Sequence, residues 1–135
     1  MGVRKVLTVL FISIWLLSIG AERGEPHQEE LDFQAAGFQR MHTTAYILEG
    51  TTADGGHTRP YICASSIDHI GDLAIVYTID GDYLGMYECT DTGREGGGVR
   101  AGTVLDVWRK NMTQATSYMK VTGGECWVLW IKGDG

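Results

Sequence analysis

From residue 42 to its end, the chain alternates short β-forming runs with polar or glycine-rich breaks, and this alternation restricts it to a small β architecture. The runs are "HTTAYIL" (42–48), "YICASS" (61–66), "LAIVYTI" (73–79), "YLGMYECT" (83–90), "TVLDVW" (103–108) and "CWVLWIK" (126–132). Asp80-Gly81-Asp82 separates the third from the fourth, and Asp-Gly between apolar runs signals a hairpin. One segment breaks the pattern. "NMTQATSYMK" (111–120) puts Met112, Ala115 and Met119 on one helical face, with Asn111 placed to cap and Gln114 three residues on. Gly123-Gly124 ends that unit. Strands this short, gathered around one helix, fit a closed barrel better than an open sheet, because closure removes exposed edges.

The barrel is expected over residues 41–135. Residues 1–21 read differently: Arg4 and Lys5 precede an uncharged apolar run, and Ser18-Ile19-Gly20 offers a small-x-small cleavage site. At about 1.5 Å per residue the run falls short of a roughly 30 Å hydrocarbon layer, which favours a secretory signal over a permanent N-terminal anchor. Either one places the rest of the chain outside the cytoplasm, with membrane contact only through this segment. Residues 22–40, "ERGEPHQEELDFQAAGFQR", are polar, mostly acidic and aperiodic, and read as a linker with a short helical turn near its end.

Without residues 1–20 the chain keeps 9 Lys and Arg against 17 Asp and Glu, a net charge of −8. That balance argues against nucleic acid, which needs a basic footprint. Cys63, Cys89 and Cys126 are an odd number in a compartment that permits disulfides. The two readings are a Cys63 to Cys89 pair with one thiol left over, or three small buried hydrophobes. With no C-x-x-C, and with His27, His42, His57 and His69 scattered, a structural zinc site is not indicated, and no cofactor is implied.

Two aspartates flank a glycine-rich loop in "YECTDTGREGGGVRAGTVLDVW" (87–108). Strand alternation puts Asp106 on one face with Val104 and Trp108, so its carboxyl projects between a valine and an indole. Desolvation there disfavours the charged form and raises the pKa, as a general acid requires near neutral pH. A structural aspartate at a strand end is the plainer alternative. Asp91 opens Asp91-Thr92-Gly93, where a turn-forming role competes with a functional one. Gly93, Gly96, Gly97, Gly98 and Gly102 form a loop whose backbone can approach a ligand closely. No Gly-Lys-Ser/Thr follows and no helix is expected to start there, which excludes a P-loop.

These segments, in order and type, resemble the 3D (three-aspartate) domain, found in the membrane-bound lytic transglycosylase A family and in small cell-wall proteins of Gram-positive bacteria and their phages. The resemblance runs from about Met41 to the end and rests on "TTAYILEGTTADGGHTRP", "ICASS" followed by "GDLAIVY", "GMYECTDTG" and "GTVLDVW". It implies a six-stranded double-psi β-barrel, no cofactor, and cleavage of the MurNAc–GlcNAc bond in peptidoglycan glycan strands without net hydrolysis. Asp106 then matches the family's catalytic acid/base, Asp91 the aspartate beside it, and Thr44 and Tyr46 the T-x-Y near the start. Gly93, Gly97 and the backbone of residues 96–98 would line the substrate groove. The family's first aspartate falls near Ser66, with Asp68 as a stand-in, and the loop between Asp91 and Asp106 is longer than usual.

Two other functions compete. A related barrel could bind wall polysaccharide without cutting it, through Trp108, Trp127, Trp130 and Tyr46. The D-T-G also invites comparison with dimeric aspartic proteases, but Arg94 follows it and the tail "WVLWIKGDG" lacks their second motif.

Overall fold

A computed structural model of the protein describes residues 26–134, so the expected signal or anchor at residues 1–21 lies outside the described residues. The chain divides into two compact units, one ending at Gln39 and the other starting at Arg40. In the first, the stretch read as a linker forms a ten-residue helix, α1 (Pro26–Ala35). Proline is suited to a first helical position, where its missing N–H costs nothing. Gly37, at φ 96°, ends the helix: its N–H reaches the Gln34 carbonyl, and the Phe38 N–H returns to Phe33. The Phe33 and Phe38 rings meet edge to face at 5.2 Å. Among the described residues no helix is long and apolar enough to cross a membrane.

The second unit is the expected small, mainly β barrel, closed by six strands in the order β1-β5-β2-β4-β3-β6. These are β1 (Gln39–Tyr46), β2 (Ile62–Ser65), β3 (Leu73–Thr78), β4 (Tyr83–Thr92), β5 (Val104–Trp108) and β6 (Glu125–Ile131). β3 pairs antiparallel with β4 and β6, whereas β1 with β5 and β2 with β4 run parallel. Parallel neighbours need crossover connections rather than tight hairpins, so β1 and β5, and β2 and β4, are neighbours in the barrel though distant in the chain. The β3 to β4 hairpin turns at Gly81, φ 97°, with Thr78 and Asp82 closing it.

The barrel interior is built from alternate residues: Cys63, Ala74, Val76, Tyr87, Cys89, Leu105, Val107, Cys126 and Val128 are buried in one cluster with Met41 and Tyr118. Helix α3 (Met112–Thr122) covers it with Ala115 and Tyr118, whose hydroxyl meets Thr43 Oγ1 at 2.7 Å. The Asn111 side chain caps α3 by accepting from the Gln114 N–H at 2.9 Å. All three cysteines are free, buried thiols, so of the two readings the small-hydrophobe one holds and the disulfide does not form. A hydrogen bond with Cys89 and burial together push the Cys63 thiol up, and burial pushes Cys126 up to about 12.

Two further departures from expectation lie in loops. The glycine-rich loop does start a helix, the four-residue α2 (Gly98–Ala101), which runs from Gly97 to a left-handed Gly102. The long polar segment after β1 folds back as a narrow flap, bridged at Thr51 and His57, and its return ends at Tyr61, held at φ 66°.

The end of the chain is fastened through Asp72. This buried carboxylate accepts from the Gly133 N–H at 2.9 Å and from His69 Nδ1 at 3.0 Å, while the His69 ring stacks on Trp130 at 3.8 Å. Those donors hold Asp72 below the ordinary carboxylate range, the Gly133 N–H most strongly. Its stabilisation is therefore complete above the unfolded-state pKa of about 4 and disappears as pH falls through the lower folded value. Asp72→Asn should lose about 1–3 kcal/mol at pH 7 and show a shallower loss of stability between pH 5 and 2, read from urea midpoints across that range.

Candidate active site

The register of four strands sets one row of side chains on the outer face of the barrel. Thr44 on β1 lies beside Asp106 on β5, Asp106 beside Ala64 on β2, and Ala64 beside Asp91 on β4. Asp106 is there because Leu105 and Val107 take the interior positions, which sends the residue between them outward. Asp91 reaches the same face for a less regular reason. Cys63 pairs with Cys89, but the next residue of β2, Ala64, pairs with Asp91, so Thr90 is an extra residue in β4. Strict alternation from the interior Cys89 would turn Asp91 inward; the bulge turns it outward beside Ala64.

The two carboxylates border a groove of about 310 Å³, and Tyr46, Leu48, Glu49, Thr58 and Thr92 are among its other walls. Asp106 is half-buried and accepts a 2.7 Å hydrogen bond at Oδ1 from the Thr44 hydroxyl. Burial raises its pKa, the Thr44 hydrogen bond opposes that rise, and the nearby charge of Asp91 adds to it. Asp91 is held differently: its Oδ1 accepts from the Ala53 N–H at 3.1 Å and the Thr92 N–H at 2.9 Å. The first of these bonds ties the flap to β4, as does the Asp54 N–H on the Thr90 carbonyl at 3.1 Å. The flap is also braced by Asp54, whose carboxylate accepts from Thr52 at 2.6 Å and Gly56 at 2.9 Å, and by an Arg59 to Glu88 ion pair at 2.8 Å.

Tyr46 supplies the most informative polar group after the acids. Its hydroxyl is buried with no hydrogen-bond partner among the described residues, and so is that of Thr92. Burial, then the charges of Asp91 and Asp106, hold the Tyr46 phenol well above its ordinary value, so it stays a neutral donor beside two acids. A buried hydroxyl without a partner costs about 1–3 kcal/mol, a cost that a polar ligand in the groove would relieve.

Of the residues singled out from the sequence, the structure brings together Asp106, Asp91, Tyr46 and Thr44. Gly93 and Gly97 do not line the groove. A Cβ on Gly93 would come 2.8 Å from Val99 Cβ, and the Gly93 carbonyl accepts from Arg100 Nε at 2.8 Å, so this glycine serves the packing of α2. Gly97 precedes α2, with its N–H on the Arg94 carbonyl. Ser66 caps the 3₁₀ turn at Ile67–His69 by accepting from the Asp68 N–H at 3.2 Å, and Asp68 is exposed and does not line the groove. The sequence reading missed Ala64, whose small side chain leaves the space between the acids, and the flap residues Glu49 and Thr58. The Asp54-Gly55-Gly56 turn within that loop was the available signal of a folded flap. Among the described residues no cluster of His, Cys, Asp or Glu is placed to hold a metal ion.

The electrostatics predict opposite effects from two substitutions. Thr44→Val removes the hydrogen bond to the ionised form and should raise the Asp106 pKa. Asp91→Asn removes a neighbouring negative charge and should lower it. Carboxyl-carbon NMR titration of the two variants against the parent checks both signs.

Compared with protein-family models, curated proteins and solved structures, the chain matches none, and the functional reading rests on its own residues.

Proposed function

We propose that the protein is a peptidoglycan lytic transglycosylase, which cuts the MurNAc–GlcNAc bond and leaves a 1,6-anhydro-MurNAc end. The observation that carries this reading is Asp106, a half-buried carboxyl with a raised pKa that faces a groove beside a second acid. A carboxyl whose pKa is raised holds its proton to higher pH than a free carboxyl, which is the direction that protonation of a glycosidic leaving group requires.

In the proposed reaction, Asp106 gives its proton to the glycosidic oxygen. As carboxylate, it then takes the proton of the C6 hydroxyl of the same MurNAc while that oxygen bonds to C1. The Thr44 hydroxyl stabilises the carboxylate stage, and Asp91 places a negative charge near the oxocarbenium-like carbon. The Tyr46 hydroxyl is a donor for a sugar oxygen.

Asp91 and Asp106 lie on strands separated by β2, and the proposed route asks one carboxyl to act as acid and then base, with the C6 hydroxyl of the substrate as the nucleophile. Non-catalytic glycan binding is less well supported, since Trp108 and Trp127 are buried and Trp130 is stacked on His69. The reading requires an extracytoplasmic location, which residues 1–21 would supply as signal or anchor.

The test is to incubate the protein with purified peptidoglycan and weigh the soluble products. Muropeptides lighter by one water than hydrolysed ones support transglycosylation; hydrolysed products would mean that water is the nucleophile, and intact sacculi that retain the protein would mean binding only. Asp106→Asn should reduce cleavage by roughly 10²–10⁴-fold. Because the folded-state pKa of Asp106 is raised, its penalty on folding builds as pH rises above the unfolded-state value of about 4, so the same variant should melt no lower than the parent at pH 7.

A further inference from the structure

A second hollow, of about 260 Å³, is lined by Leu84, Arg109, Gln114, Ser117, Tyr118 and Val121 and shares no residue with the groove. Its chemistry centres on Arg109, the residue after β5, whose backbone N–H donates to the Tyr46 carbonyl at 2.8 Å. The guanidinium carbon lies 4.9 Å from the Tyr118 ring centroid and 5.6 Å from that of Tyr87, and Nη2 donates to the Tyr87 hydroxyl at 2.9 Å. Both rings are themselves fixed, Tyr118 by Thr43 and Tyr87 by burial in the barrel. The guanidinium is thus held in one orientation before any ligand arrives.

What Arg109 lacks is an acid. Arg40 pairs with Glu125 and Arg59 with Glu88, but among the described residues no carboxylate pairs with Arg109, in a chain whose net charge is −6. A half-buried cation without a counter-charge is poised for an anion, and the planar N–H fork of arginine matches a carboxylate in two parallel bonds. The rest of the hollow narrows the choice. Gln114 and Ser117, one turn apart on α3, add neutral hydrogen-bonding groups, and Leu84 and Val121 add apolar wall. A single cation with apolar walls suits a carboxylate on a small organic group better than a phosphate dianion, which draws on several cations or backbone N–H groups.

We propose that this hollow is a binding site for a small organic carboxylate, with the anion on Arg109 and the apolar substituent against Leu84 and Val121. N-acetylalanine is a suitable probe, because it joins a carboxylate to a methyl group and an amide. The experiment titrates it into the 15N-labelled full chain and follows the Arg109 Nε–H and the backbone amides of Gln114 and Ser117. The neutral amide of N-acetylalanine and inorganic phosphate are run in parallel.

Saturable shifts at these groups with the acid, absent with the neutral amide and weaker with phosphate, are the expected result. Arg109→Lys should weaken binding by about tenfold or more by losing the fork. Val121→Glu, at an exposed position, tests the same point without disturbing the tyrosine contacts: it brings a competing carboxylate to the hollow and should abolish the shifts. The proposal is overturned if the acid gives no saturable shift, if the neutral amide or phosphate binds as well as the acid, or if Val121→Glu binds like the parent.

Discussion

β2 is four residues long, and the site depends on it more than on any other strand. Among the described strands it is the one neighbour shared by β4 and β5, parallel to the first and antiparallel to the second, and all four of its side chains are buried. Cys63 faces the interior between Cys89 and Val107, and Ala64 faces the groove between Asp91 and Asp106. A strand placed in this way fixes both the lateral spacing of the two acids and the side of the wall on which they stand. Because side chains alternate with period two, a one-residue slip of β2 would exchange the core thiol and the groove alanine.

The bulge at Thr90 works with that strand. It spends one residue of β4 without a partner on β2, and by doing so it turns Asp91 from the interior to the groove. Thr90 is fully buried, and among the described residues its hydroxyl has no hydrogen-bond partner, a local cost borne where the acid is re-aimed. The carboxylate so placed then has two duties. It fastens the flap through the Ala53 N–H, and it places a negative charge near Asp106 that reinforces the rise caused by burial. Wall, flap and acid–base character are therefore coupled through one side chain.

The fold was largely legible in the sequence because its elements are local. Asp80-Gly81-Asp82, the Asn111 cap with Gln114, and the β-branched runs act over a few residues, so propensity and turn chemistry agree with the barrel that tertiary contacts select. Helix α1 was obscured because its residues carry little helical amphipathic pattern, so the stretch read as a polar linker. The α2 turn was hidden among glycines, which disfavour helix yet here let the backbone pass close to Val99 and Val104.

By itself, the sequence determined a small, mainly β domain with one principal helix over the barrel, and it determined that Asp106 stands between two core positions on a strand. The strands and the place of Asp106 follow from period-two patterning and the helix from its cap and helical spacing, signals that each element carries within itself. Tertiary structure decided the rest: that Asp91 faces outward, that Ala64 separates the acids, that the polar loop is a tethered flap, and that Arg109 lies between two tyrosines with no acidic partner among the described residues. These depend on register, on a bulge and on contacts between residues far apart in the chain, and neither periodicity nor local propensity encodes such relations.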